Sequence, residues 1–195
     1  MSTNGTQTVD RTGTAAPPAP GTWVIDPSHS SIEAIARHMM VSKVRGRFES
    51  FSGTIDVAEE PTDSQIDVSI DAKSINTNED KRDQHLRSED FLHADEHPQL
   101  TFTSARIEHV EGDRYRVIGD LTILGESHPV ELDVDYFGVN TDPFGTERAL
   151  FQATTELNRE DWDMTWNQTL ETGGLFVGKK LDVEVDVQLV PADEE

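Results

Sequence analysis

The 195-residue chain contains no cysteine, which excludes a disulfide framework, a thiolate-ligated metal or cluster, and thiol catalysis. Positive charge is scarce: 16 Lys and Arg stand against 38 Asp and Glu, a net charge of −22. So acidic a surface disfavours phosphate backbones and anionic membranes, and no nucleic-acid partner is expected. No run approaches the roughly eighteen apolar residues of a membrane helix, so stable membrane insertion is not expected either. Residues Met1 to Gly21 lack the apolar core of a secretory signal, Val9 being their only branched apolar residue. They read as a disordered tail on a cytoplasmic protein, and Pro191 to Glu195 as a second short tail. Hydrophobic content is 34%, low for a globular domain.

What apolar sequence there is follows period two, which sends alternate side chains to opposite faces of a strand. Ile32, Ala34 and Ala36 alternate with Ser31, Glu33 and Arg37, with Ile35 as the exception. Ile66, Val68, Ile70 and Ala72 alternate with Asp67, Ser69 and Asp71, and Val130, Leu132, Val134 and Tyr136 with Glu131, Asp133 and Asp135. The longest run sets Leu181, Val183, Val185, Val187 and Leu189 against Asp182, Glu184, Asp186 and Gln188. Segments 98–109, 114–124 and 148–158 read as further strands. Turn chemistry at residues 61–64, 111–113, 125–129 and 140–145 separates them. Short connections favour antiparallel neighbours. About eight such strands form a sandwich or a closed barrel, and a C-terminal strand near fifteen residues favours the barrel.

One segment departs from the pattern. Thr77-Asn78-Glu79-Asp80 resembles a helix-start capping box, and a short helical insertion is expected near residues 78–93, as one or two short surface helices through Leu86 and Ser88 to Leu92. Between the tails the chain reads as one all-β domain of about eight antiparallel strands, a sandwich or, by the length of its last strand, a barrel.

Motifs for catalysis are missing: no paired carboxylates, nucleophile elbow, Walker or dinucleotide fingerprint. No catalytic residue and no cofactor are expected. His93-Ala94-Asp95-Glu96-His97 sets two imidazoles four apart, which on a helix would aim both at one metal. Pro98 disfavours helix at His97, however, and a solvated loop without metal is the expectation. Arg45 and Arg47 have the opposite parity to Val44, Gly46 and Phe48, which puts them outside. The segment from Trp162 to Phe176 carries two Trp and plugs a core end, or else forms a gate or a contact patch.

Taken together, Trp23-Val24-Ile25-Asp26, His29-Ser30, His38, the run Val44, Gly46, Phe48, Phe51, Gly53 and Ile55, Ser88-Glu89-Asp90-Phe91, Pro98-Gln99-Leu100-Thr101-Phe102, Gly119 to Gly125, and Asn158-Arg159 resemble the YceI-like family in order and spacing. The resemblance runs from about Thr22 to Val190. It implies an all-β fold, an extended antiparallel eight-stranded lipocalin-like barrel over residues 22–190, whose apolar lumen holds an isoprenoid or comparable lipid chain, without catalysis. Ala34 stands where family members often carry an aromatic, which would widen the lumen locally.

Barrel physics gives the same expectation, since about eight strands enclose space for one small ligand when enough inward positions are small. Ala34, Ala36, Gly46, Gly53, Ala72, Gly119 and Ala153 are the small inward positions. The expected ligand-binding residues are Ile32, Ala34, Ala36, His38, Phe48, Ile55, Val68, Ile70, Phe91, Phe102, Leu121, Ile123, Leu132, Val134, Phe151, Ala153, Trp166, Val183 and Val185. An isoprenoid, quinone or similar lipid with a neutral head group is the expected partner. A strand edge or the Trp-bearing loop is available for a homodimer contact. The alternatives are a metal-dependent enzyme using the His-rich loop and a non-catalytic interaction module.

Overall fold

A computed structural model describes residues 15–192. The tail residues 1–14 and 193–195 lie outside the described residues. Among the described residues, eleven strands and one α-helix follow in chain order: β1 (Gly21–Ile25), β2 (Ser31–His38), β3 (Ser42–Phe48), β4 (Phe51–Val57), β5 (Gln65–Asp71), β6 (Ile75–Asn76), α1 (Asp80–Arg87), β7 (Gln99–Glu111), β8 (Arg114–Ile123), β9 (Glu126–Thr141), β10 (Glu147–Asn158) and β11 (Val177–Pro191). Eight of them close into an antiparallel barrel in the order β1-β4-β5-β7-β8-β9-β10-β11, with β11 returning to β1. The remaining three, β2-β3-β6, branch from β11 as a flap.

The fifteen-residue length of β11 has a specific cause. Along one edge it serves two partners in succession, pairing Val177 to Asp186 with β2 and Leu189 to Pro191 with β1. Between those stretches the chain breaks at Asp26 to Ser30, and Gln188 spans the break: its carbonyl accepts from the Asp26 amide at 2.9 Å and its amide donates to the Ser30 hydroxyl at 3.0 Å. Asp26 caps the intervening turn and takes Arg148 Nη1 of β10 at 2.6 Å. Hydrogen bonds from Ser28, and after them from Arg148 and His29, hold its carboxyl well below the ordinary carboxylate range against the opposing effect of burial.

The alternation places the faces as read. Asp67, Glu131, Asp133, Asp135, Asp182, Glu184 and Asp186 are all exposed. Arg45 reaches out to Glu33 and Glu184, in keeping with its outward parity. Ile35 is buried although its cross-strand partners are Arg45 and Asp182.

Three local expectations are corrected. The helix cap is Glu79, whose carboxylate accepts from the Lys81 and Arg82 amides, whereas Thr77 is buried and bonded to Asp83 at 2.6 Å. Ser88 to Leu92 forms turns rather than helix. The β8–β9 connection is shorter than residues 125–129: Leu124 and Gly125 both take left-handed φ values, 53° and 74°, the signature of a tight primed hairpin turn, and Pro129 already pairs with Asp120.

Candidate functional site

Inside the ring lies an apolar cavity of about 250 Å³. Its wall is built from inward positions of β1, β2, β4, β5 and β7 to β11, which period two delivers as a largely aliphatic surface with Phe102 and Phe151 among it. The lining carries no charged side chain, and its only polar side chains are Ser64, Thr155, Tyr115 and Tyr136. Several wall residues, among them Leu121, Leu132, Val134, Ala153, Val183 and Val185, are only half-buried although they point inward. Their apolar surface faces open lumen.

One end of the barrel is covered by residues that composition assigns to a disordered tail. Ala15 to Pro20 lies against the wall instead: the Ala15 amide donates to Asp113 Oδ1 at 2.7 Å, the Tyr136 hydroxyl to the Ala16 carbonyl at 2.7 Å, and Trp23 Nε1 to the Ala19 carbonyl at 2.9 Å. Pro17 and Pro18 thereby line the lumen. Proline suits this role, because it carries no backbone donor to strand in an apolar mouth. Tyr136 stacks on Phe151 with ring centroids 4.8 Å apart. Burial, and after it the nearby Asp113 carboxylate, pushes its hydroxyl up to about 12.

The opposite end is packed shut. The β9–β10 ladder stops at Asp133 and Thr154, and Trp162, 2% exposed, closes this region by donating Nε1 to the Leu121 carbonyl at 3.1 Å and setting its ring edge-on to His128. Trp162 plugs the core end, as its loop suggests. Arg159 fixes the loop by donating to the carbonyls of Met164, Val177 and Gly178 while buried to 2% exposure. Burial pushes this guanidinium's pKa down. Outside the plug, rings of His38, His85, Phe91, Trp166 and Phe176 form an edge-to-face cluster.

Twelve of the nineteen expected residues line the cavity: Ile32, Ile55, Val68, Ile70, Phe102, Leu121, Leu132, Val134, Phe151, Ala153, Val183 and Val185. Phe48 and Ile123 are buried in the core without reaching the cavity. His38, Phe91 and Trp166 come together, but in the aromatic cluster outside the plug. Ala34 and Ala36 lie on the flap and do not line the cavity.

Smallness does not make the space. A Cβ on Gly46 would sit 2.9 Å from Ile75 Cδ1, on Gly53 2.6 Å from Ile25 Cδ1, and on Gly119 2.5 Å from both Phe102 Cζ and the Thr103 carbonyl. Each glycine is a seat for a neighbour, and Ala72 is fully buried. Of the seven small positions only Ala153 opens on the lumen.

Val117, Val130, Val187, Leu189 and Tyr136 line the cavity as well, and the same parity that selects their neighbours includes them. Pro17 and Pro18 carry no periodic signal by which to be found.

A family model described as a YceI-like domain matches residues 23–189. A UPF0312 protein of Staphylococcus epidermidis is 34% identical over 165 residues, covering 84% of this chain and 94% of that one. Among solved structures, the Campylobacter jejuni YCEI protein superposes with a TM-score of 0.69 at 28% identity, covering 80% of this chain and 90% of its own. A polyisoprenoid-binding domain from Saccharophagus degradans, implicated in plant cell wall breakdown, shares the fold with a TM-score of 0.68 at 16% identity, covering 87% of this chain and 98% of its own.

Proposed function

The chain belongs to the YceI-like family, and from that premise we propose that it is a non-catalytic lipid-binding protein. Its lumen holds the long apolar chain of an isoprenoid, a quinone or a similar lipid, and the protein acts as carrier or scavenger. The observation that carries this reading is the uncharged cavity inside the barrel, whose inward aliphatic side chains remain half-buried.

The magnitudes suffice. Burying an isoprenoid unit of roughly 100 Å² at about 25 cal/mol per Å² contributes on the order of 2 kcal/mol before entropy losses, so two or three units give useful affinity with no polar contact. The volume of about 250 Å³ lies just below the roughly 300 Å³ at which small-molecule sites begin. A short chain therefore fills the lumen beneath Pro17 and Pro18, and a longer one leaves past them. An uncharged wall, on a protein of net charge −22, favours a neutral head group held at that mouth.

Native mass spectrometry of protein purified without detergent, followed by organic extraction, tests the reading. A hydrophobic adduct carrying an isoprenoid chain is the expected result. Protein that shows only its own mass, and takes up neither added polyprenol nor ubiquinone, contradicts it.

A further inference from the structure

The loop between α1 and β7 contains a second constellation, on the outer surface and apart from the lumen lining. One ligand atom from each of His93, Glu96 and His97 lies within 4.8 Å of the others. We propose that these three side chains form a site for a divalent transition-metal ion of the zinc type, bound by two imidazoles and one carboxylate with solvent completing the coordination.

The spacing His-x-x-Glu-His does not need a helix to converge. His93 takes a left-handed φ of 43°, and its carbonyl then accepts from both the Glu96 amide at 3.1 Å and the His97 amide at 2.9 Å. This single turn returns the chain on itself, so Pro98 no longer matters. Both imidazoles then lie on one side, with ring centroids 5.9 Å apart. The carboxylate of Glu96 sits 3.9 Å from His93 Nε2.

The backbone beneath is fixed before any ion arrives. The Leu92, His93 and Ala94 amides each donate at 2.9 Å, to the carbonyls of Leu86, Ser88 and Arg87. Leu92 and Ala94 are buried in the core. Only side-chain rotations remain to be ordered, which lowers the entropic cost of binding. Ligand atoms around tetrahedral zinc, at bonds of about 2.0–2.2 Å, lie roughly 3.3 Å apart. The contraction from 4.8 Å falls mainly on Glu96, the most exposed of the three and the one with most rotatable bonds.

The neighbouring carboxylate is spoken for, since Asp95 pairs with Lys73 Nζ at 2.6 Å. Two nitrogen donors also separate this site from the rest of the acidic surface. Carboxylates alone favour magnesium and calcium, whereas imidazole favours zinc, copper, nickel and cobalt.

Cobalt(II) titration of the full chain, in salt and excess magnesium to occupy the general acidic surface, reads the site through its d–d absorption, and zinc competes the signal away. Wild type should bind one equivalent of cobalt. Loss of an outer-shell partner already weakens metal affinity about 10–100-fold, so His93→Asn, which tolerates the left-handed backbone, His97→Ala and Glu96→Gln should each weaken it at least tenfold. Asp95→Asn should leave it unchanged. Melting curves of the metal-free variants verify that the fold persists. Binding that magnesium abolishes in wild type overturns the proposal, as does an undiminished cobalt signal in the doubly substituted His93→Asn, His97→Ala protein.

Discussion

At the helix end of the molecule, Ile75 and Thr77 sit over Gly46, Trp162 fills the place where β9 and β10 part, and an aromatic cluster covers the outside. At the proline end, Ala153 pairs with Val134 on one side and Val185 on the other, and all three face open lumen. Both ends are made of antiparallel strands with one apolar face. They differ in what folds back over that face: β6, α1 and the 159–176 loop fill one end, whereas at the other Pro17 and Pro18, with Pro61 and Ser64 of the β4–β5 connection, border the lumen without filling it. A cavity in this barrel is thus set by the connections rather than by small wall residues.

That contrast predicts unequal costs for losing side-chain volume. Trp162→Ala removes a fully packed plug bonded to Leu121 and should destabilise by about 3–5 kcal/mol, whereas Leu132→Ala, which already borders open space, should cost about 2 kcal/mol. Urea unfolding of the two variants compares them, and equal losses would erase the distinction between the ends.

A smaller effect reports on the proline end alone. The Tyr136 hydroxyl is raised from 10.0 to about 12 in the folded protein, so the unfolded chain gives up this proton first. The stabilisation is complete below pH 10 and is lost as pH rises toward 12, on the order of 2 kcal/mol. Tyr136→Phe should flatten the fall of stability over this window. A variant whose alkaline profile parallels wild type would show that Tyr136 is not held protonated beneath Ala16.

The barrel was legible because it rests on period-two alternation, and long runs such as Val130 to Tyr136 and Leu181 to Leu189 carry that signal without ambiguity. The same parity found most of the lumen wall. It failed at Ala34, Ala36 and Gly46 for a physical reason: parity reports which face a residue occupies and says nothing of what lies above it. Ile75 and Thr77, distant in sequence, decide that at Gly46. Pro17 and Pro18 were hidden for the opposite reason, since composition alone makes Ala15 to Pro20 resemble a free tail. Their docking rests on single long-range bonds to Asp113 and Tyr136. The turn at His93 depends on a left-handed residue that no glycine marks.

A lipid chain in the space beside Ala153 is the feature on which the proposed function most directly depends. Extractable lipid per mole of protein should be measured for wild type, Ala153→Trp and, on the exposed face next to it, Gln152→Trp, with melting curves to establish folding. An indole at position 153 enters open lumen, so the variant should fold and lose the copurifying lipid, while Gln152→Trp retains it. Folded Ala153→Trp carrying the full wild-type complement of lipid would contradict the lumen as the binding site.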